Sequence, residues 1–519
     1  MLLVLMKLWS KPRMSTTELE LEIHSAYMDR TEFSSPDVLE VAVVLSRADL
    51  TFLYLNFADV LDSDQNTEPL ALTNIGFVVS TLICGRSLCA SIGTDIEIPL
   101  IERQGHVRKL CLAFDSSFHT FTGVCAALAS GASFGRLALW VDVDEQANLQ
   151  VVQDECWSWL AYALWSKGSG CSVRELAIGG IGLSRSGLSI FKAAFQQNYP
   201  EPDLMRNVEY GLITIPEGVE VKPRAWMEND SMGLMLTHEC RCRARYNNAT
   251  KNVDFILPGF GICTTKADNR SKFVPDATAD LSDEVVAHIP NLGSLELDLS
   301  QVESGDVLDA LLKLIGSDVR SLTLSIQEGW LGVGNQRVKV DLRELAPCVP
   351  HLEELHLQNV TIFVSKHNEL LRRWGLKTLE MYEADDADSL DTCLRLLVDK
   401  TLRSTRELSE LEISVGQLER LNPLARGLMN AISGHIGEFL SVAKDEFPSA
   451  SKAVMISVVN DCHSPQSSLQ YIDASILTLI FEFAARAQQR SAWLLNSNPR
   501  KRKLHFCGWN SSPSFMYFE

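Results

Sequence analysis

The chain has 519 residues, of which 46% are hydrophobic and 22% charged, and its mean hydropathy is +0.02. This composition is globular and excludes a disordered, collagen-like or coiled-coil chain. The formal net charge of -19 and the isoelectric point near 5.1 argue against a general nucleic-acid binder, because a phosphate backbone needs clustered Lys and Arg.

The first residues, MLLVLMKLWSKPRM, resemble a signal peptide only superficially. Lys7 interrupts the apolar run, no basic residue precedes that run and no clean small-residue cleavage site follows it. Met14 is an alternative start. We expect residues 1–37 to form an N-terminal tail and residues 38–200 to form a cap followed by degenerate repeats.

Cysteine usage and the apolar runs indicate the compartment. The 13 cysteines are odd in number and scattered without framework spacing, which is typical of reduced thiols inside a cell. The longest nearly apolar runs, 75–84 and 475–481, are shorter than the ~18 residues that a membrane span needs. The sequence therefore predicts a cytoplasmic protein with no membrane and no nucleic-acid partner.

One short pattern recurs along the chain: an apolar residue, two others, then Leu-x-apolar. Its copies are VRKLCL from Val107, FGRLAL from Phe134, VRELAI from Val173, LGSLEL from Leu292, VRSLTL from Val319, LEELHL from Leu352, LKTLEM from Leu376 and LSELEI from Leu408. The two apolar residues that flank x share one face of a strand. Apart from one gap, copies follow each other at about 24 to 39 residues, near the roughly 20–29-residue period of leucine-rich repeats.

Amphipathic segments between these copies predict helices. In DVLDALLKLIG the apolar residues share one face, Ser304 or Asp306 can cap the start and Gly316 can end the helix. QDECWSWLAYALW and DSLDTCLRLLV show the same periodicity. A strand and a helix of this size cannot bury their apolar faces alone, so neighbouring units must stack.

These strands and helices resemble the leucine-rich-repeat superfamily, of the kind typified by ribonuclease inhibitor, over residues 100–200 and 285–415. The resemblance implies an α/β fold: a leucine-rich-repeat-like solenoid of parallel strands and outer helices, with a small all-β insert and a helical C-terminal cap. The chain departs from the family because the usual Asn or Cys after each strand is replaced, as by Asp115 and Val360. WSWLAYALWSKGSGCSVRELAIGG and ILPGFGIC also resemble uncharacterised repeat proteins of plant-pathogenic water moulds. An ordinary α/β sheet with leucine-rich strands is the alternative.

Residues 201–280 interrupt the repeats. GLITIPEGVEVKPRAW, LMLTHECRCRARY and VDFILPGFGICTT alternate with period two and are separated by turn residues. They predict a small β insert with a linker, either SH3-like or a meandering hairpin, whose removal leaves the repeats folded. Repeats resume over residues 281–415.

Residues 416–495 are predicted to form a C-terminal cap. It comprises a helix from LARGLMNAISGHIGEFLSVAK, a strand from KAVMISVV and a helix from DASILTLIFEFAARAQQR. The last helix resembles an F-box helix near residues 472–485, which would make the protein a substrate-recognition subunit of a ubiquitin ligase. Residues 496–519 are predicted to be a flexible basic and aromatic tail, in which Arg500 to Lys503 are a candidate nuclear-import signal.

Three patterns contain residue types that occur in cofactor or metal sites. GGIGLSRSG follows a strand and opens a helix, but Arg185 stands where a dinucleotide turn needs its third glycine. His238, Cys240, Cys242 and Cys263 lack the usual zinc spacing and fit the buried side of a strand better.

The third pattern, Asp385, Asp386 and Asp388, lacks the glycine and the distal Glu of a calcium loop. We therefore predict no catalytic, cofactor or metal site and a protein that is not an enzyme, an unrecognised enzymatic site being the remaining alternative.

The residues between and beside the inward leucines are expected to face outward on the sheet. In the C-terminal repeats these residues include carboxylates and no Lys or Arg, whereas the N-terminal strands offer Lys109, Arg136 and Trp140. Glu354, Glu380 and Glu412 are expected to lie close enough to repel one another. We predict that a basic protein partner binds over Glu354, His356, Glu380, Tyr382 and Glu412, the alternative being a solvated acidic face.

Overall fold

The computed structural model has a mixed α/β fold with a large parallel sheet. It divides into two compact units: unit 1 is Met1–Val338 with Pro347–His351, and unit 2 is Lys339–Ala346 with Leu352–Glu519. The residues that the structure describes are 18–22, 50–57, 76, 79–81, 83–84, 89–92, 107–115, 118–142, 149–167, 169–201, 208–224, 233–236, 239–247, 253–265, 274–275, 289, 292–326, 338–364, 374–382, 387–399, 401–415, 422–440, 453, 476 and 488–496.

The elements of unit 1 are, in chain order, β1 (Glu18–Glu22), β2 (Leu50–Phe57), β3 (Cys89–Ile92), β4 (Val107–Asp115), α1 (Phe118–Ala129), β5 (Ser133–Asp142), α2 (Leu149–Leu160), a π-helical turn (Ala161–Trp165), β6 (Ser172–Gly179), α3 (Arg185–Gln197), β7 (Val208–Ile215), β8 (Glu220–Pro223), β9 (Leu234–Leu236), β10 (Cys240–Asn247), β11 (Val253–Leu257), β12 (Gly261–Thr265), β13 (Val274–Pro275), β14 (Ser294–Asp298), α4 (Gly305–Ile315) and β15 (Ser321–Ser325).

The remaining elements are β16 (Lys339–Asp341), α5 (Leu342–Cys348), β17 (Glu354–Gln358), β18 (Thr361–Phe363), β19 (Thr378–Tyr382), α6 (Ala387–Val398), α7 (Arg403–Glu407), β20 (Glu410–Val415), α8 (Asn422–His435), β21 (Phe439–Leu440), β22 (Gln488–Gln489) and β23 (Ser491–Asn496).

The Leu-x-Leu strands are parallel and in register within each unit. In unit 1 the order is β1, β2, β4, β5, β6, β14 and β15, and in unit 2 it is β17, β19, β20 and β23. Leu295 pairs with Leu322 in unit 1, and Leu379 lies between Leu355 and Leu411 in unit 2. All five are 0% exposed, so a column of buried leucines runs through the parallel strands of each unit.

Helix α4 buries the predicted face, with Val307, Leu308, Leu311, Leu312 and Ile315 at most 4% exposed. Gly316 ends it, its N–H bonding to the carbonyl of Leu312, but the Ser304 side chain makes no capping hydrogen bond.

Helix α2 differs from its predicted amphipathic form. Cys156, Trp159 and Tyr162, which lie off the expected face, are also at most 7% exposed. After Leu160 the helix widens into the π-helical turn, which contacts both α1 and α3. Residues 156–165 are therefore buried on all sides of the helix.

The second sheet of unit 1 lies between β6 and β14 in the chain. It is 8-stranded, in the order β13-β7-β10-β11-β12-β8-β9-β3, and its neighbouring strands are antiparallel. Strand β3, Cys89–Ile92, joins this sheet from well before residue 201, a pairing that the sequence did not predict. The inward side is an apolar core that includes Ile213, Val253 and Phe255.

This antiparallel sheet packs on helix α1 through glycines. Gly259 has a φ of +85°, and its N–H donates to the carbonyl of Gly123 at 3.0 Å. A methyl group on Gly123 would lie 2.3 Å from the oxygen of Gly259, closer than atoms can approach. Gly123 thus has no room for a side chain at this contact, and the positive φ of Gly259 favours glycine there.

The C-terminal cap in unit 2 differs from the prediction. The helix expected over 424–444 ends at His435, and Gly437 then takes a φ of +75°, which terminates helices. Gln488 and Gln489 are strand where a helix was expected to continue to residue 490. The last strand is Ser491–Asn496, whose alternation places Ala492 at 2% exposure. The strand predicted from KAVMISVV lies outside the described residues, apart from Ala453.

Arg490 stands immediately before this last strand and is 3% exposed. Its Nε–H donates to the carbonyl of Leu408 at 2.9 Å, and its second Nη group donates to the carbonyl of Thr405. Its first Nη group lies 3.1 Å from a carboxylate oxygen of Glu438. One buried guanidinium thus connects the start of β23 to the end of α7 and to the turn after α8.

Candidate functional site

The predicted partner-binding residues lie on one face of the unit 2 sheet. Leu355, Leu357, Leu379, Met381, Leu411 and Ile413 are at most 1% exposed and form the inward face. The intervening residues face the other way, and the side chain of Glu354 is 53% exposed. We call this surface, consisting of Glu354, His356, Glu380, Tyr382 and Glu412, the acidic face.

The register of the sheet sets which of these residues are neighbours. His356 pairs with Glu380, and Glu380 pairs with Glu412, so these three form one row across β17, β19 and β20. Glu354 instead pairs with Thr378, two residues along the strands from that row. His356, and not Glu354, therefore occupies the position directly beside Glu380.

Glu380 is the centre of a hydrogen-bond network on this face. His356 Nδ1–H donates to Glu380 Oε2 at 2.8 Å, and the Tyr382 hydroxyl donates to the same oxygen at 3.2 Å. His356 Nε2 also lies 3.8 Å from a carboxylate oxygen of Glu354. The imidazole thus lies between two carboxylates, whose charges it can offset only when it is protonated.

This network shifts two pKa values in opposite directions. Burial opposes charging of the imidazole, but the hydrogen bond and charge of Glu380, together with Glu354, outweigh burial and raise the pKa of His356. The hydrogen bond from His356 lowers the pKa of Glu380, against its burial. The ion pair therefore stabilises the fold most at pH values above the pKa of Glu380 and below the pKa of His356.

A His356→Gln variant is expected to lose about 1 kcal/mol of stability near pH 5.5 and much less near pH 9. The folded pKa of His356 is raised, so its contribution is complete below the unfolded value of about 6.5 and is lost as pH rises through the folded value. Urea unfolding at the two pH values measures the difference. His351→Gln, at an exposed histidine, is the control, and an equal loss at both pH values would contradict the ion pair.

Trp493 belongs to the same row and was missed from the sequence. It pairs with Glu412 across β20 and β23, and it is 56% exposed. Its indole N–H donates to the Ser491 hydroxyl. The sequence signal was the alternation of SAWLLN, which was not interpreted as a repeat strand because Ala492 takes the place of the expected leucine.

The outward face of the unit 1 sheet has a different character. Arg136 donates to a carboxylate oxygen of Glu296 at 2.9 Å and lies 3.8 Å from Glu175. Trp140 lies over Gly179, where an added methyl group would come within 1.9 Å of the ring. The cationic residue predicted there is therefore already paired with carboxylates of neighbouring strands.

Some residues expected on the outward faces are buried. Asp298, Ser325 and Ser414, each near the end of a strand, are 7%, 9% and 0% exposed. Asp298 accepts hydrogen bonds from the Ser300 N–H and hydroxyl and from the Gly180 N–H. Burial raises the pKa of the Asp298 carboxyl even against these hydrogen bonds. The Asp298 side chain therefore holds the start of the loop that follows β14.

Contacts within the chain account for the conformation of the glycine turn GGIGLSRSG. Ser184 caps α3 by accepting from the Gly187 N–H at 2.9 Å. Glu303 accepts from the Arg185 N–H at 2.8 Å, so a carboxylate of the protein already lies at this helix N-terminus. A methyl group on Gly180 would lie 2.0 Å from the carbonyl of Val141, which explains the glycine without a nucleotide.

The structure describes only some of the other candidate metal ligands. Cys240, Cys242 and Cys263 are at most 6% exposed and belong to the apolar core of the antiparallel sheet. A carboxylate oxygen of Asp388 lies 3.7 Å from Lys339 Nζ. His238, Asp385 and Asp386 lie outside the described residues. Among the residues that are described, no group of His, Cys, Asp and Glu is arranged to hold a metal ion.

The F-box-like helix near 472–485 and the basic run Arg500 to Lys503 lie outside the described residues, apart from Ile476. In the described part of the chain, no helix has the length and hydrophobicity required to cross a membrane. Comparison of the chain with protein-family models, with curated proteins and with solved structures found no match.

Proposed function

We propose that this protein is a non-enzymatic interaction protein that binds a basic segment of a protein partner on the acidic face of unit 2. The observation that carries the proposal is the row of His356, Glu380 and Glu412, with Glu354 beside it, on a sheet face whose outward positions include no Lys or Arg. Carboxylates held at strand spacing, about 4.8 Å apart, repel one another unless a cationic group lies among them.

The proposal includes a leucine-rich-repeat-like solenoid with an all-β insert. In support, helices lie between several consecutive parallel strands, as α1, α2 and α4 do in unit 1 and α6 does in unit 2. The antiparallel sheet lies between two neighbouring strands of the parallel sheet, β6 and β14. Sheets of this type offer extended surfaces that suit partner binding. A cytoplasmic location is also part of the proposal, since the described cysteines are unbridged thiols.

The proposal is tested by charge reversal. A Glu354→Lys, Glu380→Lys, Glu412→Lys variant should bind a fluorescent peptide of alternating arginine and glycine at least about 100-fold more weakly than the unaltered chain, because like charges then face each other. Fluorescence anisotropy measures the affinity. Binding to the unaltered chain should also weaken as ionic strength rises from about 0.1 M to about 1 M, where the Debye length falls from ~10 Å to ~3 Å.

A matched control changes the same charge elsewhere in the chain. Glu344, Asp388 and Asp391 lie on helices, and their side chains are 56%, 63% and 43% exposed. A variant with all three changed to Lys should retain most of the affinity for the arginine–glycine peptide. A Glu→Gln triple variant of the acidic face should show an intermediate loss, and circular dichroism checks that each variant is folded. Unchanged binding by the Lys triple variant would move the site elsewhere, first to the antiparallel sheet of unit 1.

A further inference from the structure

The row on the acidic face ends at an exposed aromatic ring. His356, Glu380, Glu412 and Trp493 are consecutive partners across β17, β19, β20 and β23. Neighbouring strands lie about 4.8 Å apart, so the Glu412 carboxylate and the Trp493 indole lie within reach of one ligand group. Acids and one large aromatic side chain are therefore aligned on one sheet face.

The hydrogen bonds in this row determine what each side chain offers to a ligand. The indole N–H of Trp493 donates to the Ser491 hydroxyl, so the polar edge of the ring is engaged within the chain. With 56% of the residue exposed, the indole still offers apolar and π surface to solvent. Glu380 Oε2 already accepts from both His356 and Tyr382. Glu412 lies between this network and the indole.

A carboxylate next to an aromatic ring favours one kind of cation. A guanidinium is planar, stacks on an aromatic face and can direct its N–H groups to a neighbouring carboxylate at the same time. An ammonium is a compact, strongly hydrated charge and cannot stack as a plane. We infer that Glu412 and Trp493 together bind one arginine side chain of the basic partner, in preference to lysine. This inference rests on the function proposed above.

The test compares three peptides that differ in one residue type: alternating arginine and glycine, lysine and glycine, and glutamine and glycine. The full chain should bind the arginine peptide about tenfold more tightly than the lysine peptide, and the glutamine peptide hardly at all. Trp493→Ala should lower the affinity for the arginine peptide about tenfold and should change the affinity for the lysine peptide much less.

Two further variants separate the aromatic contribution from general effects. Trp493→Leu keeps an apolar side chain of useful size but removes the π face, so it should match Trp493→Ala and stands in for it if the alanine variant misfolds. Ile436→Ala removes another exposed apolar side chain of unit 2, 62% exposed, and should leave both affinities unchanged.

Each outcome decides between the inference and the proposed function. Loss of the arginine preference in both Trp493 variants supports the arginine site. If both peptides weaken equally, or neither weakens, while the glutamate reversal still abolishes binding, the arginine site is wrong and the acidic face stands. If neither basic peptide binds the unaltered chain, the proposed function fails and the arginine site fails with it.

Discussion

Replacing Arg490 with alanine is expected to destabilise unit 2 by about 3–5 kcal/mol, the usual cost of removing one partner from a buried charged network. The guanidinium is 3% exposed and satisfies the carbonyls of Thr405 and Leu408, each of which would cost about 1–3 kcal/mol if left buried without a donor. The same change should free the start of β23 and with it Trp493.

Urea unfolding of the full chain measures the loss, and limited proteolysis near residues 488–496 reports release of the strand. Arg395→Ala is the matched control, because this arginine is 54% exposed and pairs with Asp391 on the surface of α6. That pair should contribute less than about 0.5 kcal/mol. A loss below about 1 kcal/mol for Arg490→Ala would show that the network does not hold the strand.

A glycine-to-alanine substitution is expected to raise the stability of the chain in one helix and to lower it in another. Gly427→Ala in α8 should stabilise the chain by about 0.5–1 kcal/mol, because the added methyl group meets no atom within 4 Å and alanine is the better helix former. Gly123→Ala in α1 should destabilise it by about 2 kcal/mol, because the methyl group would lie 2.3 Å from the carbonyl oxygen of Gly259.

Both variants are compared with the unaltered chain by thermal unfolding. Stabilisation by Gly123→Ala would mean that the antiparallel sheet does not pack on α1 as described. The contact also bears on the prediction that residues 201–280 can be removed, because their deletion would uncover the α1 surface at Gly123 and leave β3 without its partner β9. That deletion stays a prediction to be tested on the repeats.

For β17, β19 and β20 the Leu-x-Leu pattern was sufficient to predict the strand and, except near the end of β20, the face on which each residue lies. Alternation has a period of two, so assigning Leu355 and Leu379 to the core also places Glu354, His356 and Glu380 on the outward face. The same leucines set the register, which shows that His356 and not Glu354 neighbours Glu380. That pairing could have been derived from the sequence by aligning the leucines.

The pairings missed from the sequence depend on contacts between distant residues. Strand β23 has Ala492 in the leucine position, and its residues follow a segment with helical periodicity. Arg490 is the last residue of a predicted helix, whereas its N–H groups donate to carbonyls more than eighty residues earlier. Strand β3 pairs with β9 over a similarly long distance in the chain. No local pattern encodes such partners.

The place of the antiparallel sheet in the chain has a consequence for synthesis. Strand β6 has β5 on one side and β14 on the other, and the whole sheet from β7 to β13 must be translated before β14 exists. A nascent chain that stops at α3 therefore has an open edge on β6 and an unfilled glycine surface on α1. Such an edge invites pairing with other chains. Newly made unit 1 should consequently need protection on the ribosome until the residues of β14 have emerged.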